Sequence, residues 1–289
     1  MEKARIQLCT AVVAGLLATG SLQAETKVVL KDGRDNRPAV TYTLPNGWAG
    51  AGNVTWNTEA AHDGTLCVRT MQVIKPKDDI TVNYISAYEA PLRRKNPSAM
   101  QLAELLLPAV RQMPGCEQTT LTEATLYSVP EDLANFRMGR DRLNRKLGKK
   151  VNGKVYAVAA VCANGTTVGA IVYERAERKF LSSNRTVTFH DICIMHADAG
   201  VADKAFTELK TAATRADYSD AWVESHIRKT ASSIDGMSKL DESALPTLTG
   251  KAEQQLKLGL PTVLDCMYSS YRKRFVRTMS AGNSVSEQP

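Results

Sequence analysis

The stretch between residues 137 and 154 holds the clearest chemical signal in the sequence, because its side chains are those that bind phosphate and carboxylate groups. Arginine forms bidentate contacts with such groups, and lysine adds point charges. The only acidic residue in this stretch is Asp141. The alternative is a solvated strand edge whose charges prevent aggregation between sheets. The candidate binding residues are Arg137, Arg140, Arg142, Arg145, Lys146, Lys149 and Lys150, followed by Lys154.

A second group of cations lies near the C-terminus, beside an apolar stripe at helical spacing. Cations near the end of a helix complement its dipole, so we predict that the stripe packs on the domain. A helix that docks on a membrane surface or on a partner is the alternative. The cations are Arg272, Lys273, Arg274 and Arg277, and the stripe is Leu256, Leu260, Leu264, Met267, Tyr271 and Phe275.

Patterns for catalysis and metal binding are weak. Ser270 and Lys273 match Ser-x-x-Lys, but the companion motifs of the enzymes that use it do not accompany them. His196 and Asp198 are close enough in sequence to chelate a metal together, although two ligands make a weak site. The sequence has no His-Glu-x-x-His, Cys-x-x-Cys or phosphate-cradling glycine motif. We therefore predict no catalytic residue, metal or cofactor.

Residues 1–24 have the order of a cleavable secretory signal. Lys3 and Arg5 provide a positive start, residues 8–18 form an apolar run, and a small, polar stretch ends at Ala24. The apolar run is shorter than the roughly 20 residues that span a bilayer. We expect cleavage near Ala24 and a periplasmic or fully secreted product with no transmembrane segment.

Five cysteines follow the predicted signal peptide, and an oxidising compartment favours disulfides. The odd number leaves one thiol over. We prefer the pairs Cys67 with Cys116 and Cys162 with Cys193, because each pair lies in segments that can be neighbours in one sheet. Cys266 is then interpreted as a buried apolar thiol, with a nucleophile or an intermolecular link as the alternative.

The overall charge favours anionic partners without indicating nucleic acid. Removal of the predicted signal peptide changes the 37 basic and 30 acidic residues of the full chain to 35 and 29. This mild basic excess suits phosphate-bearing lipids, glycans or acidic proteins. It is too small to indicate a nucleic-acid-binding protein.

Residues 25–199 predict an α+β domain, in which an antiparallel sheet is packed by one main helix. That helix begins after Pro97-Ser98 and ends at Pro114-Gly115. The clearest hairpin turns through Ala163-Asn164-Gly165, because Asn-Gly readily takes the positive φ angles of tight turns. Strands are predicted over 28–30, 40–44, 66–74, 80–88, 120–129, 135–143, 155–162, 166–173 and 186–195.

The rest of the chain predicts a helical C-terminal region. It comprises a helical extension over 200–231, a polar linker over 232–250 and a C-terminal helix over 251–279 that is interrupted near Pro261. Residues 280–289 are predicted to be a disordered tail.

The sequence Pro45-Asn46-Gly47-Trp48 near the start of the domain is followed by the central helix and then by a closing meander of strands. This order of elements resembles the PsbP/Mog1-like fold. A resemblance at the level of fold specifies no activity.

These observations favour an exported, non-enzymatic binding or accessory protein of a bacterial-type cell envelope. It would engage a protein or another anionic partner through the basic strand and loop. The alternatives are a secreted hydrolase with a dispersed active site and a binder of anionic lipid or glycan. The sequence leaves the oligomeric state open.

Overall fold

One large sheet organises the part of the chain that is described. The computed structural model describes residues 25–56, 67–92, 95–139, 151–179, 182–232 and 242–283. Its strands lie in the order β10-β2-β1-β3-β4-β5-β9-β8-β7-β6. They are β1 (Thr26–Asp32), β2 (Pro38–Leu44), β3 (Ala49–Trp56), β4 (Cys67–Lys75), β5 (Ile80–Pro91), β6 (Leu121–Tyr127), β7 (Val151–Cys162), β8 (Thr167–Lys179), β9 (Ser182–His196) and β10 (Asp217–Tyr218).

Neighbouring strands pair antiparallel, except that β1 and β3 are parallel. The predicted hairpin is formed by β7 and β8, and Gly165 in its turn has a φ of 85°. Glycine adopts this left-handed conformation without the steric cost that a Cβ would add. The strands predicted over 66–74 and 80–88 are observed as β4 and β5, which form a hairpin.

Helices cover both faces of the sheet. The first, α1, begins after Ser98 as the sequence predicts, and Ser98 forms a reciprocal capping box with Gln101. It packs on one face, and the remaining helices contribute to the opposite core. The helices are α1 (Ala99–Val110), α2 (Glu131–Arg137), α3 (Ala199–Thr214), α4 (Asp220–Ser232) and α5 (Leu245–Asn283), with short 3-10 turns at Pro76–Asp78 and Glu242–Ala244.

The alternation of side chains along the strands separates two apolar cores. In β7, Val158 and Ala160 face the α1 core, whereas Ala157 and Ala159 face the core below α5. A strand buried on both faces follows from this two-sided covering. The predicted α+β class with a mostly antiparallel sheet is confirmed. The main difference is that α5 is a second major packing helix.

The prediction of a strand over 135–143 is wrong for residues 135–139, which are the part of that range that the structure describes. Residues Glu131–Arg137 form helix α2, which starts after Pro130 and carries Glu131 and Asp132 in its first turn. Both proline before a helix and acidic residues in its first turn favour helix initiation. Residues 140–150 lie outside the described part of the chain.

The C-terminal helix is longer than predicted. It begins at Leu245, inside the predicted linker, and continues through Pro261 to Asn283. Its buried stripe explains how tertiary packing overrides the proline, because Leu260 and Val263 on either side of it are buried in the core. The predicted signal peptide, residues 233–241 of the linker and residues 284–289 of the tail lie outside the described residues. Among the described helices, none combines the length and apolar composition that crossing a bilayer requires.

The two edges of the sheet differ in length. At one edge, β10 has two residues and helix α4 begins at Asp220 directly beyond it. No strand was predicted there. At the other edge lies β6, which pairs with β7 and carries a register shift between Leu121 and Glu123.

Candidate functional site

Four strand ends bring cationic residues together at one end of the sheet. The register places Lys154 of β7 opposite Glu174 of β8, and Arg175 opposite both Gly153 and Thr186. Farther along, β8 and β9 pair through Arg178 with Ser183 and Lys179 with Ser182. We call this region the basic end, comprising Lys95, Lys154, Arg175, Arg178, Lys179 and Arg185.

The C-terminal end of β5 reaches the same place. Pro91 pairs with Thr186, and the backbone N–H of Leu92 donates to the carbonyl of Arg185 at 3.0 Å. Beyond it, the Lys154 ammonium donates to the Asn96 side chain at 3.4 Å, which places Lys95 beside the start of β7. The residues that follow β5 therefore belong to the basic end.

Further cations that adjoin these strands in the sequence lie outside the described residues. Arg93 and Arg94 follow β5 directly, and the segment 140–150 precedes β7. That segment contains six of the seven predicted binding residues: Arg140, Arg142, Arg145, Lys146, Lys149 and Lys150.

Three acidic residues of the described ranges lie at the same end of the sheet as these cations. Glu174 and Glu177 lie on β8, and Glu89 lies on β5. The Glu174 carboxylate accepts a hydrogen bond from the Tyr156 hydroxyl. Burial and this bond raise the pKa of Tyr156 well above its usual value, so the hydroxyl remains a donor at neutral pH.

Arg137, the seventh predicted binding residue, is not part of the basic end. It lies at the last position of α2, where its side chain is 9% exposed and forms an ion pair with Asp191 of β9. Its prediction as a member of an exposed basic strand is therefore wrong. Instead, Arg137 fixes the end of α2, from which the chain continues towards residue 140.

Asp191 is the centre of a buried ionic cluster. Its carboxylate accepts hydrogen bonds from Arg137 and, at 2.7 Å, from the Tyr84 hydroxyl, and it lies 3.5 Å from the Arg69 guanidinium. Arg69 in turn donates to the Tyr218 hydroxyl at 2.7 Å. The buried ionic cluster consists of Arg69, Tyr84, Arg137, Asp191 and Tyr218.

The backbone at Asp191 is unusual for a strand residue. Its φ is 53°, and the register between β8 and β9 shifts at this point, so Asp191 is the extra residue of a bulge. Aspartate tolerates the left-handed region better than most residues, and a bulge re-aims a side chain. The bulge directs the carboxylate into the core below α5.

The buried ionic cluster contains two guanidinium groups and one carboxylate. The side chains of Arg69 and Asp191 are 4% and 1% exposed. Burial lowers the pKa of the neighbouring His190 well below its ordinary value, and Arg137 and Arg69 lower it further. His190 is consequently neutral at pH 7 and adds no third cation.

Gly259 of α5 lies directly against this cluster. A Cβ at that position would be 2.2 Å from the Asp191 Oδ2 and 3.1 Å from the Arg137 Nη2. Only glycine permits so close an approach of the helix. The cluster therefore joins α2, the sheet and α5, and its role in this arrangement is to hold those elements together.

The cysteine pairs preferred from the sequence are wrong. The five cysteines described are buried thiols. Cys116 and Cys162 belong to the α1 core, whereas Cys67 and Cys193 belong to the core below α5. Both predicted pairs would have to cross the sheet, which a disulfide cannot do when the two side chains point away from each other into opposite cores. Cys266 is buried on α5, as interpreted from the sequence.

The candidate catalytic and metal-binding pair is not assembled. The Nδ1 of His196 is 2.9 Å from the Thr166 hydroxyl, and the exposed Asp198 precedes α3. Within the described ranges, no three histidine, cysteine or acidic side chains form a metal-binding group. Ser270 is buried, and its hydroxyl is 2.7 Å from the Tyr127 hydroxyl rather than bonded to Lys273.

The apolar stripe of the last helix packs on the protein, as predicted. Leu256, Leu260, Leu264 and Met267 are buried, and the Tyr271 hydroxyl donates to the carbonyl of Ala199. Phe275 is 42% exposed. Arg274 bonds to the Cys162 carbonyl and to the Thr122 hydroxyl, so it also anchors the helix.

A groove of about 420 Å³ runs between α3 and α5. Phe206, Leu264 and Tyr268 contribute apolar surface, and Lys210 forms an ion pair with Asp265 at 2.7 Å. The groove lies between α3 and α5, away from the strand ends that form the basic end, and we assign it no role in the site.

Comparison with known proteins leaves the family open. No protein-family model and no curated protein matches the sequence. Among solved structures, the chain is similar to cyanobacterial PsbP (CyanoP) from Synechocystis sp. PCC 6803, determined in solution. The similarity covers 71% of this chain and 99% of that chain, at 12% identity and a TM-score of 0.26. A similarity of this size supports no argument about activity or partners.

Proposed function

We propose that the chain is an exported, non-enzymatic accessory protein of a bacterial-type envelope, and that its basic end binds the acidic surface of a partner protein. The observation that carries this proposal is the convergence of β5, β7, β8 and β9 at one end of the sheet. The ends of β7, β8 and β9 carry cations, Lys95 follows β5, and the segment 140–150 contains six more in the sequence.

The fixed ends of that segment support the proposal. On one side, Arg137 is held in the buried ionic cluster, and on the other, β7 is hydrogen-bonded along its length to β8. Cations presented between two fixed points lose less freedom on binding than cations on an unanchored tail, which favours affinity. Clustered positive charge also accelerates encounter with an acidic partner.

A protein partner is favoured over a membrane because the apolar face of α5, the candidate membrane-binding helix, already packs against the core. The apolar stripe of α5 is buried from Leu256 to Met267, so it cannot insert into a bilayer without leaving the core. Binding to anionic lipid or glycan through the basic end remains an outcome that the experiment below distinguishes.

The proposed compartment rests on the sequence of residues 1–24. A signal peptide cleaved near Ala24 would deliver the chain to the periplasm or the exterior. Edman sequencing or mass analysis of the protein purified from its native host would show Glu25 or a nearby residue at the N-terminus.

The hydrolase alternative gains no support from the described residues. It required His196 to meet several carboxylates in a pocket, and neither the α3–α5 groove nor the small apolar cavity beneath it includes His196. We retain only the binding proposal.

The test reverses the charge of Arg140, Arg142, Arg145 and Lys146 by substitution with glutamate. Its matched control reverses four exposed lysines elsewhere, Lys27, Lys31, Lys77 and Lys251, and so changes the net charge equally. Binding to a poly-glutamate peptide and to vesicles containing anionic lipid is measured at several salt concentrations, and partners are captured by cross-linking in native envelopes.

We expect the basic-end variant to bind poly-glutamate roughly tenfold or more weakly at low salt and to lose its captured partner, whereas the control variant retains both. Equal losses in both variants, or an unchanged partner set, would contradict the proposal. Salt-sensitive binding to vesicles containing anionic lipid, with no captured protein, would indicate that the basic end binds a membrane rather than a protein.

A further inference from the structure

Two of the five described cysteines meet in the α1 core, at the end of the sheet opposite to the basic end. Cys116 follows α1, and Cys162 is the last residue of β7. Both are 0% exposed and belong to the same apolar cluster. The fold thus brings together two thiols that the sequence assigned to different pairs.

The turn between β7 and β8 holds the two residues side by side. The Cys116 Sγ is 3.3 Å from the Thr166 hydroxyl and accepts a hydrogen bond from the Asn164 amide, also at 3.3 Å. Cys162 closes the same turn, because its N–H donates to the Thr166 carbonyl at 2.8 Å and its carbonyl accepts from Gly165 at 3.1 Å. Cys116 therefore contacts the turn that Cys162 begins.

The side chains of the two cysteines are also electrostatic neighbours. Burial raises the pKa of the Cys162 thiol to about 11, and the Cys116 thiol is the next contribution to that rise. Thr119, which follows Cys116 by three positions, bonds to the Cys162 thiol as well. Hydrogen bonds also join the segment after α1 to the turn that follows β7, because the Thr119 hydroxyl donates to the Asn164 side chain at 2.9 Å and the Asn164 amide donates to the Cys116 Sγ.

The sheet separates the other three cysteines from Cys116 and Cys162 and so prevents a disulfide between the two groups. Cys67, Cys193 and Cys266 belong to the core below α5. Any of them would need to pass through the hydrogen-bonded strands to reach Cys116 or Cys162.

We propose that Cys116 and Cys162 form a disulfide when the chain folds in an oxidising compartment. A thiolate of one cysteine attacks the disulfide of a thiol–disulfide exchange partner, and the second thiolate then displaces that partner from the mixed disulfide. The cysteines lose two electrons and two protons, and the partner's disulfide is reduced to two thiols. The bond joins the segment after α1 to the β7–β8 hairpin.

The bond must form before the core closes. Both cysteines are 0% exposed in the folded protein, so an exchange partner cannot reach their thiols once the core has closed. The appropriate experiment therefore refolds the full mature chain from denaturant in a mixture of reduced and oxidised glutathione, and compares it with protein purified from the native compartment.

Peptide mapping identifies the pair directly. After alkylation without reductant, trypsin releases residues 112–137 with Cys116 and residues 155–175 with Cys162. We expect these two peptides to be joined and the peptides of Cys67, Cys193 and Cys266 to be alkylated. Alkylation of both Cys116 and Cys162, or a bond from either to another cysteine, would overturn the proposal.

A stability measurement separates a structural bond from an incidental one. Reduction of the wild-type chain should lower the thermal midpoint by roughly 10 °C, because the bond closes a long loop. Reduction of the Cys116→Ser variant should leave its midpoint unchanged, and a Cys266→Ala control should respond like wild type. The comparison of each protein with its own reduced form removes the effect of the substitution on packing. A wild-type midpoint that does not move on reduction would also overturn the proposal.

Discussion

The basic end and the buried ionic cluster are built from the same cationic side chains in opposite surroundings. At the basic end, strand register gathers cations, and Lys154 is exposed. In the buried ionic cluster, the Asp191 carboxylate accepts hydrogen bonds from Arg137 and from the Tyr84 hydroxyl, and it lies 3.5 Å from the Arg69 guanidinium. The difference shows that burial, rather than residue type, separates cations that hold the fold from cations available to a partner.

Arg137 marks the boundary between the two regions. In sequence it begins the basic segment, but in space it belongs to the interior. Its side chain pairs with Asp191, which is 54 positions away along the chain. The same residue therefore anchors the segment that we propose to bind a partner, without contacting that partner.

The largest expected effect comes from removing the carboxylate of the cluster. Asp191→Asn preserves the shape of the side chain and tolerates the positive φ, but leaves two buried guanidinium groups uncompensated. We expect a loss of about 3–5 kcal/mol in the free energy of unfolding, measured by urea denaturation. The control is Asp265→Asn, which breaks an exposed pair with Lys210 and should leave the unfolding midpoint unchanged. Similar midpoints for both variants would remove the distinction between the two regions.

The next effect tests how closely α5 approaches the cluster. Gly259→Ala places a methyl group 2.2 Å from Asp191 Oδ2, so the helix must move, and we expect a loss of about 1–3 kcal/mol. Gly250 lies on the same helix with open space around it. Gly250→Ala should therefore be neutral or stabilise by about 0.5–1 kcal/mol. Chemical denaturation of the two variants provides the comparison, and a stabilising Gly259→Ala would show that the helix is farther from Asp191.

A pH dependence follows from His190 beside the cluster. Its pKa is lowered in the folded protein, so the unfolded chain takes up a proton more readily as the pH falls below about 6.5. Stability should therefore be unaffected by His190 above that pH. It should decline by up to about 1.4 kcal/mol per pH unit below it, until His190 is itself protonated in the folded state.

The measurement compares urea denaturation at pH 7 and pH 5 for wild type and for His190→Gln. The variant removes the titrating group, so its loss between the two pH values should be smaller. An equal loss in both proteins would assign the acid sensitivity to other groups.

The smallest expected effect on stability belongs to the basic end. Lys154→Met removes one exposed cation whose described polar contact is a 3.4 Å hydrogen bond to Asn96. We expect the free energy of unfolding to change by less than about 0.5 kcal/mol. Binding to poly-glutamate should nevertheless weaken. A large destabilisation would mean that the basic end is structural, and the comparison with the interior cluster would fail.

Local signals in the sequence predicted much of the fold. The Ser98 capping box and the Asn164-Gly165 turn determine where α1 begins and where the β7–β8 hairpin reverses, because each acts over a few residues. The α+β class follows from those elements. In contrast, the strand predicted over 135–143 failed at α2, whose first turn carries two acidic residues after Pro130.

The basic end was less predictable because its residues are distant in sequence and become neighbours only through the pairing register of the strands. The hairpin prediction ended at Tyr173, so Arg175, Arg178 and Lys179 on the continuation of β8 were not included. Likewise, side-chain alternation indicates two faces along one strand, but it does not show which face another segment covers. The cysteine pairs predicted from the sequence are wrong for this reason, because the sequence did not show on which face of the sheet each cysteine lies.

The unequal edges of the sheet limit how copies of the chain can associate. Backbone pairing cannot propagate from β10, which offers two residues before α4 begins. At the other edge, β6 is a seven-residue strand. Two copies joined through β6 would form a two-fold pair whose outward edges both end in the two-residue β10, which offers little backbone for the addition of a further strand.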